Sequence, residues 1–166
     1  MVVGDAHAYL LAHAHEFDIV WASPPCPTHS GQYEAVYPDM KLYEEIIFLQ
    51  NFFKGKFVIE NVKPYYDYLV APTVHIGRHP FWTNFDVSEA KFDDKRVHNN
   101  ISGKSEVYGV SLEKFDNNIG DKKKMLRNMV NPEVGLYLLE MAINAVTGVK
   151  RKASKSYTPC LFDGVA

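Results

Sequence analysis

The spacing of apolar residues predicts a strand, a helix and a second strand in the first half of the chain. Short apolar runs within 17–23 and over 57–59 are typical of strands buried on both faces of a sheet. Between them, apolar residues from Met40 to Phe53 repeat at helical spacing, and Gly55 stands where a left-handed helix cap is expected. Strand, helix and strand with short connections form one right-handed crossover, so the two strands are expected to be parallel neighbours.

Weaker patterns surround this crossover. The other predicted elements are the end of a strand at 1–5, helices over 6–15 and 64–69, a strand over 81–87 and a helix over 126–146. Asn131 is placed to cap the last helix, with Pro132 in its first turn. Residues 88–124 are polar and weakly periodic and predict no element. Together these elements predict an α/β fold.

Composition narrows the class of protein. The chain has 166 residues, 46% of them hydrophobic and 13% aromatic, which is enough for one globular domain with a sizeable core. A formal charge of −2 means that any nucleic-acid binding would depend on local patches. The two cysteines, Cys26 and Cys160, are far apart, so neither a disulfide framework nor a metal site is predicted. Without a membrane-spanning run or a signal-peptide pattern, a cytoplasmic location is expected.

The residues most typical of a reactive site follow the two parallel strands. Ser23-Pro24-Pro25-Cys26 breaks the first strand, and Glu60-Asn61-Val62 follows the second. Ligands of open α/β sheets bind at the carboxyl ends of the strands, so the thiol and the carboxylate are expected in one cleft. Each residue alone has a simpler interpretation, because a free cysteine is commonly a small buried residue and a strand-end glutamate is usually a surface or capping residue.

Taken together, these residues resemble the catalytic signature of DNA (cytosine-5) methyltransferases. Three further short matches follow the family's order, namely Gly4-Asp5, Ser30 and Asn128-Met129-Val130. The resemblance covers residues 1–87 and extends to 125–146. It implies a three-layer, Rossmann-like methyltransferase sheet that is incomplete at its N-terminus.

The resemblance also implies a reaction, the transfer of a methyl group from S-adenosylmethionine to carbon 5 of cytosine in double-stranded DNA. Cys26 would add to carbon 6 of the base, and Glu60 would hydrogen-bond its exocyclic amine and ring nitrogen. Asn61 would hold the local geometry, and the Pro24-Pro25 turn would hold the thiol and shape the pocket. Because the reacting atoms lie inside the duplex, the base would be flipped out. The remaining implied roles are DNA binding by Ser30 and Arg78, with Arg78 also at the base, and cofactor binding by Asp5, Ala6, Pro24, Asn128 and Val130.

The chain departs from the family pattern in three places. The family's Gly-rich turn for the cofactor has no counterpart, because the chain begins at the family's third motif. Only residues 88–124 stand where the family has a large target-recognition domain. Arg78 is single where the family has two arginines, so a solvated loop residue is an equal interpretation. We therefore expect a partial catalytic domain over 1–149 and a basic, mobile tail over 150–166.

These departures leave several functions open. The chain would be a truncated enzyme, one half of a split enzyme completed by a second polypeptide, or a degenerate homologue. A catalytically silent DNA-binding or scaffold subunit is the alternative from a different class. An amino-methyltransferase would carry an aromatic residue where this chain has Cys26. A cysteine hydrolase would need an Asp or Asn to orient His29, and none is evidently spaced for that role.

Overall fold

The structure, a computed structural model, describes residues 2–31, 37–88, 90, 92 and 128–149. In chain order its elements are α1 (Ala6–His13), a 3₁₀ turn (Ala14–Glu16), β1 (Ile19–Ala22), α2 (Lys41–Phe52), β2 (Lys56–Glu60), β3 (Val74–Ile76), β4 (His79–Thr83) and α3 (Pro132–Thr147). The predicted α/β class is confirmed. Two predicted regions lie outside the described residues. They are the tail over 150–166 and the variable region over 88–124, except for residues 88, 90 and 92.

The described strands form one mixed sheet in the order β1-β2-β4-β3. Strands β1 and β2 are parallel, with Ala22 paired to Ile59, so the predicted β1–α2–β2 crossover is confirmed. Strand β4 runs antiparallel to both of its neighbours and lies between them. Glu60 at the end of β2 pairs with Phe81 near the start of β4. The C-terminal ends of the parallel strands β1 and β2 and the N-terminal end of β4 therefore lie at the same end of the sheet.

Two apolar clusters cover the two faces of the sheet. Side chains alternate along a strand, so Phe57 and Ile59 join one cluster and Val58 the other. The first cluster packs α1 and α2 on one face, and its buried members are Leu10, Leu42, Tyr43, Ile46, Leu49, Phe53, Phe57, Ile59 and Trp82. The second packs α3 on the opposite face, and its buried members are Val58, Ile76, Phe81, Phe85, Val134, Leu138 and Ala142. Helix, sheet and helix thus form three layers.

The ends of α3 follow from individual residues. The Asn131 side chain accepts a hydrogen bond from the Glu133 amide over 3.0 Å, and Pro132 occupies the first turn, so the predicted N-terminus is confirmed. At the other end, Gly148 has a φ of 68°, a left-handed conformation that glycine adopts at low cost. No helix in the described ranges is both long enough and apolar enough to cross a membrane.

Gly55 is required for a different reason from the predicted one. Helix α2 ends at Phe52, and the described glycines with a positive φ are Gly77 and Gly148. A Cβ atom on Gly55 would lie only 2.4 Å from the carbonyl oxygen of Asp18, just before β1. The chain therefore needs glycine here to pass close to the neighbouring strand.

Two other element predictions were wrong, and a third had the wrong bounds. Residues 2–5 form no strand, because the Asp5 side chain instead caps α1 by accepting from the Ala8 amide. Residues 64–69 form no helix, since contacts with other parts of the chain hold this segment, including the Tyr65 amide on the His29 carbonyl over 3.2 Å. The predicted strand over 81–87 begins earlier, at His79, and ends at Thr83.

Strand β3 has no counterpart among the predicted elements. It pairs with β4 in a hairpin in which Ile76 is opposite His79, so that Gly77 and Arg78 form the turn. Gly77 has a φ of 59°, as the first position of a two-residue hairpin turn requires. The hairpin draws His79 and Pro80 into the sheet beside the end of β2.

Candidate active site

Cys26 lies in the turn that follows β1. Pro24 and Pro25 end the strand, because each fixes its own φ and lacks an amide donor. The Cys26 carbonyl then accepts hydrogen bonds from the amides of His29 over 3.0 Å and Ser30 over 3.2 Å. The residue is half-buried and its thiol is free. A stiff turn thus presents a potential nucleophile, which reacts as the thiolate.

Glu60, the last residue of β2, is only 6% exposed. Its Oε1 atom is hydrogen-bonded to Nδ1 of the buried His79. On the other side of the imidazole, Arg78 Nε donates to His79 Nε2 over 2.9 Å. Because Nε2 is an acceptor in this arrangement, the proton of neutral His79 is on Nδ1, which donates to the carboxylate.

Asn61 connects the two strand ends. It is only 1% exposed, and its Nδ2 donates to the Pro24 carbonyl over 3.0 Å. Its Oδ1 accepts from the Val62 amide over 2.9 Å, and its own amide donates to the Pro80 carbonyl over 3.4 Å. One side chain therefore ties the turn before Cys26 to the residue after Glu60.

His29 is part of the structure of the turn. Its ring is buried, and Nδ1 is hydrogen-bonded to the Tyr66 hydroxyl over 2.5 Å. The rings of Tyr43 and Tyr66 lie 6.2 Å and 6.1 Å from it, centroid to centroid. Burial lowers the pKa of His29 below its ordinary value of 6.5, against an opposing effect of Asp39. In the described part of the chain no hydrogen bond joins this ring to the Cys26 thiol, so the geometry of a Cys–His hydrolase is not formed there.

The residues assigned to DNA binding fall on two sides of this site. Ser30 is half-buried in the same turn as Cys26. Arg78 is exposed in the hairpin turn and is connected to Glu60 through His79. Hydrogen bonds thus connect Pro24 to Asn61, and Arg78 to Glu60 through His79. Pro25, Cys26 and Ser30 follow Pro24 in the same turn.

The residues assigned to the cofactor are not brought together in the same way. Asp5 caps α1, which Ala6 begins, and α1 packs through Leu10 into the first cluster. Val130 packs against the second cluster, on the opposite face of the sheet, and Asn128 is exposed. A shallow pocket beside the hairpin turn is lined by Ile76, Gly77, Arg78, His79, Phe92, Val130, Asn131 and Val134. Of the predicted cofactor residues this pocket contains Val130 alone.

Sequence reasoning assigned no role to His79. The residue lies 19 positions from Glu60, and nothing local signals their contact. A predicted β3–β4 hairpin would have placed His79 beside Glu60, because the start of β4 is antiparallel to the end of β2.

The arrangement of the site suits attack on an unsaturated carbon. A half-buried thiol follows β1 and a buried carboxylate ends β2, and these two strands are parallel neighbours. A thiolate is a nucleophile and a carboxylate a hydrogen-bonding group, which are the two functions that such an attack needs. Within the described ranges, no group of three or more His, Cys, Asp or Glu side chains is arranged to hold a metal ion.

Comparison of the chain with protein-family models, curated proteins and solved structures finds no match.

Proposed function

We propose that the protein acts on cytosine in double-stranded DNA, by the chemistry of DNA (cytosine-5) methyltransferases. The observation that carries this proposal is the Asn61–Pro24 hydrogen bond, which fixes the Pro-Pro-Cys turn beside the strand end that bears Glu60. The parallel β1–α2–β2 crossover and the helices on both faces of the sheet support a Rossmann-like methyltransferase fold as part of the same proposal.

The first step is nucleophilic addition by Cys26. Carbon 5 of cytosine is too weak a nucleophile to react unaided, so the thiolate forms a bond to carbon 6. The electron pair of the carbon 5–carbon 6 double bond then becomes available at carbon 5, which behaves as an enamine. Glu60 accepts a hydrogen bond from the exocyclic amine and so holds the ring in place beside the thiol during the addition.

The reaction ends by reversal of the addition. Carbon 5 takes up an electrophile, loses its original hydrogen to a base, and the sulfur–carbon 6 bond breaks to regenerate the thiolate. S-adenosylmethionine would supply the methyl electrophile. The steps assigned to this chain are those that Cys26 and Glu60 perform on the base.

The proposed reaction requires a base that is flipped out of the duplex. Reaching carbon 6 requires the nucleotide to leave the stack and enter a pocket. Ser30 in the Cys26 turn and Arg78 in the hairpin turn flank the strand ends and would contact the DNA backbone. Because the net charge is −2, the interaction depends on such local contacts.

Hydrogen exchange at carbon 5 tests the addition step without a methyl donor. The substrate is a pool of random-sequence DNA duplexes with tritium at carbon 5 of cytosine. Addition of Cys26 allows a proton from water to bind carbon 5, and loss of the tritium followed by elimination releases it to the solvent. We expect release by the wild-type protein, none by Cys26→Ser, and a rate lower by about 10²-fold or more for Glu60→Gln.

Cys160→Ser is the matched control, because it removes the other cysteine of the chain. Exchange by this variant at the wild-type rate assigns the chemistry to Cys26. Exchange that survives in Cys26→Ser, or that is absent from the folded wild-type protein, overturns the proposal.

A second assay tests methyl transfer itself. The duplexes then contain 5-fluorocytosine, and S-adenosylmethionine is added. Because fluorine cannot leave as a proton does, an active protein stays attached to DNA through Cys26, and the adduct survives a denaturing gel. We expect this adduct in the wild-type protein and its loss in Cys26→Ser.

The separation of the cofactor residues favours a second candidate, in which the chain is one subunit of a larger enzyme. Asp5 and Val130 are associated with opposite faces of the sheet, so a second polypeptide would have to complete the cofactor site. Exchange without adduct formation would support this candidate, and adding the partner should then restore the adduct. DNA binding without exchange would support a catalytically silent subunit.

A further inference from the structure

Arg78, His79 and Glu60 form a row of hydrogen bonds that ends in a buried carboxylate. The row runs from the hairpin turn across the first residue of β4 to the last residue of β2. His79 and Glu60 are both buried, whereas Arg78 is exposed to solvent. The aromatic ring of Phe81 lies 6.4 Å from the imidazole, centroid to centroid.

The guanidinium group fixes the tautomer of His79. Arginine remains protonated in proteins and can only donate, so His79 Nε2 must accept and carry no proton. The proton of the neutral ring is then on Nδ1, facing Glu60 Oε1. His79 is not a proton source for the base, because giving up this proton would leave an imidazolate.

The second carboxylate oxygen of Glu60, Oε2, has a different environment from Oε1. Within the described part of the chain, Glu60 Oε2 takes part in no hydrogen bond, whereas Oε1 is occupied by His79. A carboxylate oxygen accepts a hydrogen bond from an amino group but repels a carbonyl oxygen. Recognition of the base therefore depends on which oxygen of Glu60 is held by His79 and on whether the carboxyl group is protonated.

We propose that His79 is a positioning residue that holds Glu60 Oε1 and presents Oε2 as an acceptor, so that the site selects a pyrimidine with an exocyclic amino group over one with a carbonyl. This inference rests on the proposed function. Without His79, the carboxyl group is able to rotate or to take up a proton, and a protonated carboxyl group donates to a carbonyl oxygen. Losing His79 thus reduces the preference for cytosine over uracil.

Two substitutions of His79 separate positioning from packing. The amide nitrogen of asparagine lies at about the reach of Nδ1, so His79→Asn keeps a donor for Glu60. The longer side chain of glutamine places its amide near Nε2, so His79→Gln loses that donor. Both variants are checked for folding by circular dichroism before any rate is compared.

The readout is the ratio of tritium release from cytosine to that from uracil. Two pools of random-sequence duplexes are used, with tritium at carbon 5 of cytosine in one and of uracil in the other. We expect His79→Gln to lower the ratio by about tenfold and His79→Asn to keep most of it. A merely structural role would slow both reactions alike and leave the ratio unchanged.

The possible results distinguish the two proposals. If the wild-type protein releases tritium from neither base, the proposed function fails and this selection fails with it. If the protein is active but His79→Gln keeps the wild-type ratio, only the role of His79 is overturned. Nitrogen-15 NMR of the imidazole gives a test without turnover, in which a proton on Nδ1 is expected and a proton on Nε2 would contradict the proposal.

Discussion

Asn61 Nδ2 donates a hydrogen bond to the Pro24 carbonyl over 3.0 Å, and this bond links the turn after β1 to the residue after β2. Asn61 is buried, and its Oδ1 also accepts from the Val62 amide. Asn61→Ala leaves both backbone partners without this side chain, so we expect the free energy of unfolding to fall by about 1–3 kcal/mol. Urea denaturation measures the loss, and tritium release should fall as the Cys26 turn loosens.

Asn51→Ala is the control for this prediction. Asn51 is exposed, and its side chain donates only to the Ile47 carbonyl of its own helix. Its replacement should change the free energy of unfolding by no more than about 0.5 kcal/mol. Equal losses for the two variants would contradict a special role of Asn61.

The sequence predicted the elements around Asn61 well where the signal was local. Apolar periodicity identifies α2 and β2 directly, because both are buried through their own residues. Strand β1 was also predicted, but its expected burial on both faces was wrong, because β1 lies at the edge of the described sheet and Trp21 is 38% exposed. The sequence does not predict the β3–β4 hairpin, because His79 and Pro80 are typical of a turn and β3 is very short.

Long-range contacts account for the remaining differences. Residues 64–69 resemble a helix, but Tyr66 is hydrogen-bonded to His29 and Trp82 Nε1 donates to the Val70 carbonyl over 2.9 Å. The Glu60–His79 contact likewise joins residues that are distant in sequence. The sequence predicts a required glycine at Gly55, but the Asp18 carbonyl that requires it lies just before β1, is distant in sequence and gives no local signal.

Stability should depend on pH through His29. Burial lowers its pKa below 6.5, so the folded protein binds fewer protons at this residue than the unfolded chain does. The contribution to stability is complete above pH 6.5 and is lost as the pH falls through the folded-state pKa. We expect the free energy of unfolding to decrease between about pH 7 and about pH 5, and this decrease to be smaller in His29→Asn.

The exposed His15 supplies the comparison for the pH effect. His15→Asn removes a histidine that is exposed on the surface. Urea denaturation across the same pH range should give His15→Asn the wild-type slope. A His29→Asn variant with the wild-type slope would show that another group controls the pH dependence.

Two adjacent leucines in α3 test the packing of this helix on the sheet. Leu138 is fully buried in the second cluster, whereas Leu139 is 41% exposed. Leu138→Ala creates a cavity and should lower the free energy of unfolding by about 2–5 kcal/mol. Leu139→Ala should cost less than about 0.5 kcal/mol. Similar costs in urea denaturation would mean that α3 does not pack on the sheet through Leu138.

Gly55 tests the close approach between the end of the crossover and β1. In Gly55→Ala the added Cβ would lie 2.4 Å from the Asp18 carbonyl oxygen and 2.6 Å from Phe53 Cζ. Backbone must move to relieve the first contact, so we expect a loss of roughly 1–3 kcal/mol in the free energy of unfolding.

Gly135→Ala is the matched control, since Gly135 lies within α3 and a Cβ there would meet nothing within 4 Å. Alanine favours the helix, so this variant should gain about 0.5–1 kcal/mol. Thermal denaturation should therefore move the two variants in opposite directions. A Gly55→Ala protein as stable as wild type would rule out the steric reason for this glycine.

The two apolar clusters share no buried residue, because the backbone of the sheet separates them. Substitutions such as Leu49→Ala and Leu138→Ala should therefore be additive in free energy to within about 0.5 kcal/mol. Each face is then able to change its side chains over evolutionary time without a compensating change on the other. Strands β1 and β2, which precede Cys26 and end at Glu60, contribute side chains to both clusters. The positions of Cys26 and Glu60 therefore limit how far the side chains of either cluster can vary.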